Sequence, residues 1–463
     1  VIDVGTGEDP VVRLHVGEFD GDYACLSYCW GGDQFKTTRA TLEKLMAEIP
    51  TASLSLTVAD AVEVTRRLGL RYLWVDALCI VQDSDEDKAR EIVRMGAIYK
   101  NAAVTIAAAT ARAASEGFLR SQRTVRSAAV RFRLPNGDVG VVRVAYTERF
   151  DFGEDRSHED HPLDGRGWCL QESLLSPRLL IFSTFNVERR CQAGRIEFTG
   201  GGAFGKQHSI SATLRLPPGI FGGATKRQLL ENMLDATSGI DDHHPRNIWR
   251  SIVCRYTTRK LTDPNDRLAT LAGIAGELQR VWGDEYLFGM WTKMLPWTMS
   301  WTAVQPGSRL ALAPTWSWAS VTSAVGFESV HSPKLVDITV EPASPPGLPR
   351  LAVSGTLVPS SELPTASLGS NDSLDILLDL DEPCIEDGCS YLVLDRRTGW
   401  PMGSKTFKWI QTTYLILRQV DDGVYSRVGV ARHEQRFQTR GLLEADSAWV
   451  ALSKGPTVRI RLV

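Results

Sequence analysis

The sequence predicts an α/β chain. A parallel-sheet domain opens it, a helical segment follows, and a β-rich C-terminal region completes it. Three observations predict this. Between Tyr23 and Ala109, short apolar runs alternate with amphipathic charged stretches, the βαβ rhythm of a parallel sheet. Between Lys226 and Trp282 the apolar spacing is helical. From Lys334 onward, short runs alternate apolar and polar residues, as antiparallel strands do. The expected boundaries are 1–200 for the α/β domain, with a hairpin insertion near 128–145, and 201–240 for a Gly/Pro-rich connection. A helical segment over 241–300 and a β-rich region over 301–463 complete the chain.

Tyr23–Trp30 (YACLSYCW) reads as a buried strand stopped by Gly31-Gly32. Thr38–Glu48 is charged and leucine-spaced, hence helical. Thr57–Leu68 puts Val58, Ala61, Val62 and Thr65 on one helical face, with Gly69 as its C-cap. Arg71–Ile80 reads as a second buried strand, and Gln82–Asp87 as a polar corner. Asp87–Tyr99 is a helix with Ile92, Met95 and Ile98–Tyr99 inward, and Ala103–Ala109 is a third strand. Loops at the carboxyl ends of such strands are where ligands bind. Gly31-Gly32 and the polar corner are two of them. Two alternating runs around Pro135-Asn136-Gly137-Asp138 predict a β-hairpin. The tryptophans at 282, 291, 297, 301, 316 and 318 read as a packed seam rather than a ligand cage.

Composition narrows the function. Of 463 residues, 43% are apolar and 23% charged, as in a globular protein with ample core. The net charge of −3 gives no electrostatic reason for nucleic-acid or membrane binding. No apolar run approaches the ~18 residues of a membrane span, and the N-terminus lacks a basic-then-apolar signal. The eight cysteines sit mostly in apolar segments and read as reduced thiols of a cytoplasmic protein. Cys384 and Cys389 remain either a bridge or half of a metal site. Cys79 lies in an apolar run, where thiols are inert, so a Cys79–His161 nucleophile–base pair is not favoured. Asp83, Asp85 and Asp87 lack the Gly and distal Glu of a calcium loop, and His243-His244 reads as surface loop. No metal site is expected.

Asp76, inside an apolar run, must be hydrogen-bonded or paired if buried. It is either a site carboxylate or a structural partner of a loop N–H or Arg166. Glu172, in RGWCLQES, is either a second active carboxylate or a partner of Arg178. Ser27, Tyr28, Trp30 and Gly31 form a strand-end loop. Glycine there permits close approach of a phosphate, and Trp30 offers a stacking face. Arg166 has the fork to hold a diphosphate or a carboxylate, and Trp168 is a second aromatic wall or a core residue.

Five segments carry a resemblance. They are Tyr23–Gly32; Leu56-Thr57-x-x-Asp60-Ala61; Leu68-Gly69-x-x-Tyr72-Leu73-Trp74-Val75-Asp76-Ala77-Leu78-Cys79-Ile80-x-Gln82-Asp83; Glu91-x3-Met95-x2-Ile98-Tyr99-x2-Ala102; and Arg166-Gly167-Trp168-Cys169-Leu170-Gln171-Glu172-x-Leu174-Leu175-Ser176-x-Arg178. In this order they resemble the heterokaryon incompatibility (HET) domain of filamentous fungi. Pro314–Ser320 (PTWSWAS) is similar to a downstream segment of long HET-domain proteins. The chain departs from the family at Leu54-Ser55-Leu56, where Leu-Pro is usual, and after Phe182.

The resemblance implies a TIR-like, flavodoxin-like fold and a module of self/non-self recognition and programmed cell death. It implies binding of NAD+ as substrate and hydrolysis at the nicotinamide glycosidic bond, with no cofactor required. Self-association or a signalling protein partner is implied as well. On this resemblance Glu91, on the helix after the polar corner, is the candidate that stabilises the ribosyl cation. Asp76 and Glu172 are the further catalytic candidates, and Ser27, Tyr28, Trp30, Gly31, Arg166 and Trp168 the binding ones. The alternatives are a non-enzymatic docking module and a small-molecule enzyme that uses the carboxylates as acid and base.

Overall fold

The computed structural model describes residues 1–7, 9–119, 127–133, 137–145, 161–183, 187–191, 194–197, 216–221, 244–328, 335–341, 347–360, 372–380, 389–399, 407–438 and 457–463. Two compact units emerge. The first comprises 1–229 together with 259–261 and 269–281, and the second comprises 230–258, 262–268 and 282–463.

The first unit is built on an eight-stranded sheet. Its strands are β1 (Ile2–Asp3), β2 (Arg13–Leu14), β3 (Tyr23–Ser27), β4 (Tyr72–Trp74), β5 (Val104–Ala107), β8 (Arg178–Phe182), β9 (Val187–Cys191) and β10 (Gly194–Glu197). Their spatial order is β10-β9-β8-β5-β3-β4-β1-β2. The central β8, β5, β3 and β4 are mutually parallel, while the outer pairings are antiparallel. The sheet is therefore mixed rather than purely parallel. The four parallel strands, counted along the chain, stand in the order second, first, third, fourth. That order reverses between β3 and β5, the switch point where doubly wound sheets bind ligands. Between β5 and β8 the chain forms a separate antiparallel hairpin, β6 (Ser127–Arg133) with β7 (Val139–Ala145).

Side-chain alternation along the strands buries both faces of the sheet. Ala24, Leu26, Leu73 and Val75 join one cluster with Val58, Ala61 and Val62. Cys25 and Trp74 face the other way, against Met95 and Tyr99. The helices are α1 (Leu42–Ala47), α2 (Leu56–Arg67), α3 (Asp76–Cys79), α4 (Asp85–Asn101) and α5 (Trp168–Leu175). Helix α2 ends where Gly69 takes φ +74° and its N–H caps the Arg66 carbonyl at 3.0 Å. Helix α4 starts at Ser84, whose hydroxyl accepts the Asp87 N–H, and Asp85, Glu86 and Asp87 favour that positive end.

One expected strand is corrected. Arg71–Ile80 is not a single strand, because β4 stops at Trp74 and the chain turns into the short α3. Asp76 drives the turn: its Oδ1 accepts its neighbour's N–H from Ala77 at 2.7 Å. The Cys79 N–H meanwhile reaches back to the Val75 carbonyl. An apolar run with one carboxylate thus folds as strand plus one helical turn, and the carboxylate stands at the strand's end.

The second unit holds helix Pro245–Thr257 and a tryptophan-rich core. Trp249, Trp291, Trp301, Trp316 and Trp318 are fully buried. Trp249 and Trp291 meet edge to face at 5.5 Å, and the Trp249 and Trp318 indoles both donate to the Gly289 carbonyl. Seven strands follow: β15 (Val336–Glu341), β16 (Arg350–Pro359), β17 (Asp372–Leu378), β18 (Cys389–Gly399), β19 (Phe407–Asp421), β20 (Val424–Gln438) and β21 (Thr457–Leu462). Short strands β11 (Tyr286–Leu287), β12 (Met290–Trp291), β13 (Trp301–Ala303) and β14 (Val325–Phe327) precede them. Pairings run β16–β18–β19–β20–β21 and back to β16, a closed path in which only β20–β21 is parallel. Arg427 and Asp379 form a fully buried ion pair at 2.9 Å, with the guanidinium over the Trp301 ring at 3.5 Å. No helix among the described residues is long and apolar enough to cross a membrane.

Candidate functional site

The site forms where β3 and β4 end. Ser27 closes β3 and is buried, and its hydroxyl donates to Oε2 of Glu172, which α5 delivers from the other side. Glu172 is only 5% exposed. Burial pushes its carboxyl pKa up. Arg166 and the Ser27 hydroxyl oppose the rise, and the nearby Asp76 adds to it. Asp76 is half-buried. Its Oδ2 accepts the Trp30 indole N–H at 2.8 Å. Burial raises its pKa too, against Arg166, Trp30 and the Ala77 N–H. Burial alone would lower the Arg166 pKa, but Cys169, Glu172, Asp76 and Cys29 hold it above the ordinary value. Its guanidinium donates to the Tyr28 carbonyl. Its positive charge thus lies near two enclosed carboxylates and favours their ionised forms, while its hydrogen bond goes to the backbone.

The structure brings together Ser27, Tyr28, Trp30, Asp76, Arg166 and Glu172. Glu172 does not pair with Arg178, whose guanidinium donates to the Ala103 carbonyl. Trp168 is half-buried and packs against the cluster of Trp74, Ile80 and Met95. Gly31 has φ +69°, and a Cβ there would lie 2.2 Å from the Ala113 Cβ. The close approach this glycine permits is made by the chain's own 110–119 loop.

Glu91 lies apart from the hydrogen-bonded group. It sits in the second turn of α4, not at its start, and pairs with Arg94 at 3.0 Å and Arg90 at 3.5 Å. It shares a helix face with Met95, one turn on, and Met95 reaches the cluster that includes Trp168.

Other motif residues hold these loops. Asp60 Oδ2 accepts the N–H groups of Phe118 and Leu119. The Gln82 amide caps the carbonyls of Asp76 and Ile80. Tyr99 ties α4 to the Leu26 carbonyl at 3.0 Å. Asp83 accepts the Arg39 N–H, and Asp87 accepts the Val81 N–H, so both carboxylates build the corner. Burial pushes the Cys79 thiol up, and its sulfur caps the Val75 N–H. Cys384 and His243 lie outside the described residues.

Gln34 went unrecognised in the sequence. Its Nε2 donates to the Tyr28 hydroxyl at 2.8 Å, and the Tyr28 hydroxyl interacts with Asp76. The Gln34 amide oxygen is buried with no partner among the described residues. A glutamine two residues past a Gly-Gly turn gives no periodic or spacing signal, so only the fold reveals it.

Residues 23–172 match the family model described as heterokaryon incompatibility protein (HET). This region is a HET domain. No curated protein and no solved structure matches the chain. All nine candidate site residues fall inside the HET match, which ends at Glu172, within α5.

Proposed function

We propose that the chain is a fungal heterokaryon incompatibility protein whose HET domain, TIR-like in fold, binds NAD+ and hydrolyses its nicotinamide glycosidic bond in self/non-self recognition and cell death. The observation that supports this most is the Asp76–Arg166–Glu172 cluster at the carboxyl ends of β3 and β4, next to the switch point, with the half-buried Trp30 bonded to Asp76. Nicotinamide leaves NAD+ as a neutral base, so departure needs no general acid. The transition state is oxocarbenium-like, and a fixed carboxylate beside the ribose stabilises it. Asp76 suits that task because it is fixed by two N–H donors yet partly exposed. In this reading Glu172, enclosed and bonded to Ser27, acts through Arg166. The Arg166 fork faces the diphosphate, while Trp30 and Trp168 supply apolar walls. Ser27 holds Glu172, and Tyr28 and Gly31 shape the loop.

Glu91 is the competing carboxylate, one turn from Met95 on α4. Nicotinamide release by the full chain is to be compared with that by Asp76→Asn and Glu91→Gln. The expected result is a loss of at least 100-fold in Asp76→Asn with the fold retained. Loss in Glu91→Gln alone would move the role to α4. Retained turnover in both variants would reject carboxylate stabilisation by either residue. A second reading, acid–base chemistry on another small molecule, is favoured by the raised pKa of both Asp76 and Glu172. The docking-module alternative predicts no nucleotide turnover at any protein concentration.

A further inference from the structure

The HET match ends at Glu172, but the first unit does not. Residues 259–261 return to it from far along the chain and lie beside Gly165–Gly167, the segment that carries Arg166. The Lys260 N–H donates to the Gly165 carbonyl at 2.7 Å, and the Gly167 N–H donates to the Lys260 carbonyl at 2.9 Å. Together they make a parallel bridge between Arg166 and Lys260. Arg259 donates to the Arg166 carbonyl at 3.2 Å and to Oδ1 of Asp164 at 3.4 Å, with its side chain only 9% exposed. Leu261 closes the third side: a Cβ on Gly167 would lie 2.4 Å from its Cδ2.

A brace backs this strap. Helix Ala269–Trp282 offers the Gly273 N–H to Oε1 of Gln171 on α5 at 2.8 Å, and Gly273 meets Gly96 of α4 closely enough to exclude a side chain. Arg166 is flanked by two glycines, which leave a free segment more backbone freedom than any other residue type. Its guanidinium nevertheless has to stay on the Tyr28 carbonyl, with its charge beside the Asp76 and Glu172 carboxylates. Something must remove that freedom, and among the described residues these bonds come from 259–261, beyond the HET match.

We propose that residues 259–261 complete the HET-domain site by fixing Arg166, with Arg259 as the positioning residue. The inference rests on the nucleotide reading for its consequence, namely that the strap sets affinity for the diphosphate of NAD+. It is tested in the full chain by a double-mutant cycle on NAD+ binding with Arg259→Ala, Arg166→Met and the double variant. Arg259→Ala is expected to weaken NAD+ about 10-fold and to add nothing in the Arg166→Met background, with Arg259→Lys restoring part of the loss. A merely structural role would lower affinity equally in both backgrounds, and that additivity would overturn the proposal. Amide exchange at Gly167 supplies an arm free of nucleotide. It should quicken about 10-fold in Arg259→Ala while Leu26 in β3 stays protected, and unchanged Gly167 exchange would also overturn the proposal. Absence of NAD+ binding by the wild type would refute the nucleotide reading, and the exchange arm would still decide whether the strap holds.

Discussion

Replacing Arg166 by Met tests whether the site is an ionic cluster or only a set of packed neighbours. Arg166 opposes the burial-driven rise of both carboxyl pKa values, and its guanidinium also donates to the Tyr28 carbonyl. Removing one partner of a buried ionic group costs about 3–5 kcal/mol when the remaining charges stay ionised. The lost backbone hydrogen bond accounts for about 1 kcal/mol of that. The rest depends on pH, and its sign follows from the direction of the shifts. Asp76 and Glu172 have folded pKa values above their ordinary 3.8 and 4.5. A raised folded pKa gives stability that is fully present below the unfolded value and is lost as pH rises through the folded one. Without Arg166 both values climb further. The deficit of Arg166→Met should therefore be near 1 kcal/mol below about pH 3.8 and, once pH passes the wild-type folded values, grow by up to about 1.4 kcal/mol per pH unit per carboxylate until the new pKa values are passed. Urea unfolding of wild type and variant from acid to mildly alkaline pH reads this directly. Adding Glu172→Gln should recover stability at pH 8 only. A deficit that does not vary with pH, or one below about 1 kcal/mol at pH 8, would refute the cluster as described.

Two further substitutions probe the frame around it. Gly31→Ala forces a side chain into φ +69° and against Ala113; about 1–2 kcal/mol of backbone strain and about 1–3 kcal/mol of overpacking should appear as a loss in the unfolding free energy. A change under about 1 kcal/mol would mean that the 110–119 loop does not dock on Trp30-Gly31 as observed. In the second unit, Asp379→Ala leaves the fully buried Arg427 without its carboxylate, and a loss of about 3–5 kcal/mol is expected, eased when Arg427→Met is added. An unaltered urea midpoint in the single variant would contradict the pair's burial.

Much of the parallel core was legible because its strands carry both-face apolar runs and its helices a clean apolar stripe. Tyr23–Ser27, Leu56–Arg67 and Val104–Ala107 each fall within a residue or two of the expected segments or inside them. The break at Asp76 was not legible, since an apolar run of ten residues has the same composition as strand or as strand plus turn. The antiparallel additions escaped because β1 and β2 have only two residues each, while β9 (VERRC) and β10 (GRIE) carry charges instead of an apolar run. The C-terminal strands were read from their alternation, but the closed path through β21 was not. It depends on pairings between residues roughly a hundred positions apart, such as Val353 with Ile460. Within the site, the strand-end loop pointed to Ser27, a carboxylate inside an apolar run to Asp76, and a guanidinium fork to Arg166. The bond between Ser27 and Glu172 joins positions 145 apart and belongs to the fold alone. Arg259 and Gln34 carried no signal, because a single polar residue in a polar stretch looks like solvent-facing surface until a neighbour is placed on it.

The central claim is that this HET domain turns over NAD+. The most direct measurement is nicotinamide release from NAD+ by the purified full chain, followed by chromatography at low and at high protein concentration. The account predicts release, steeper than linear in protein concentration if self-association assembles the active form, and lost in Asp76→Asn. No release at either concentration, from protein whose Gly167 amide is protected as the strap requires, would contradict it.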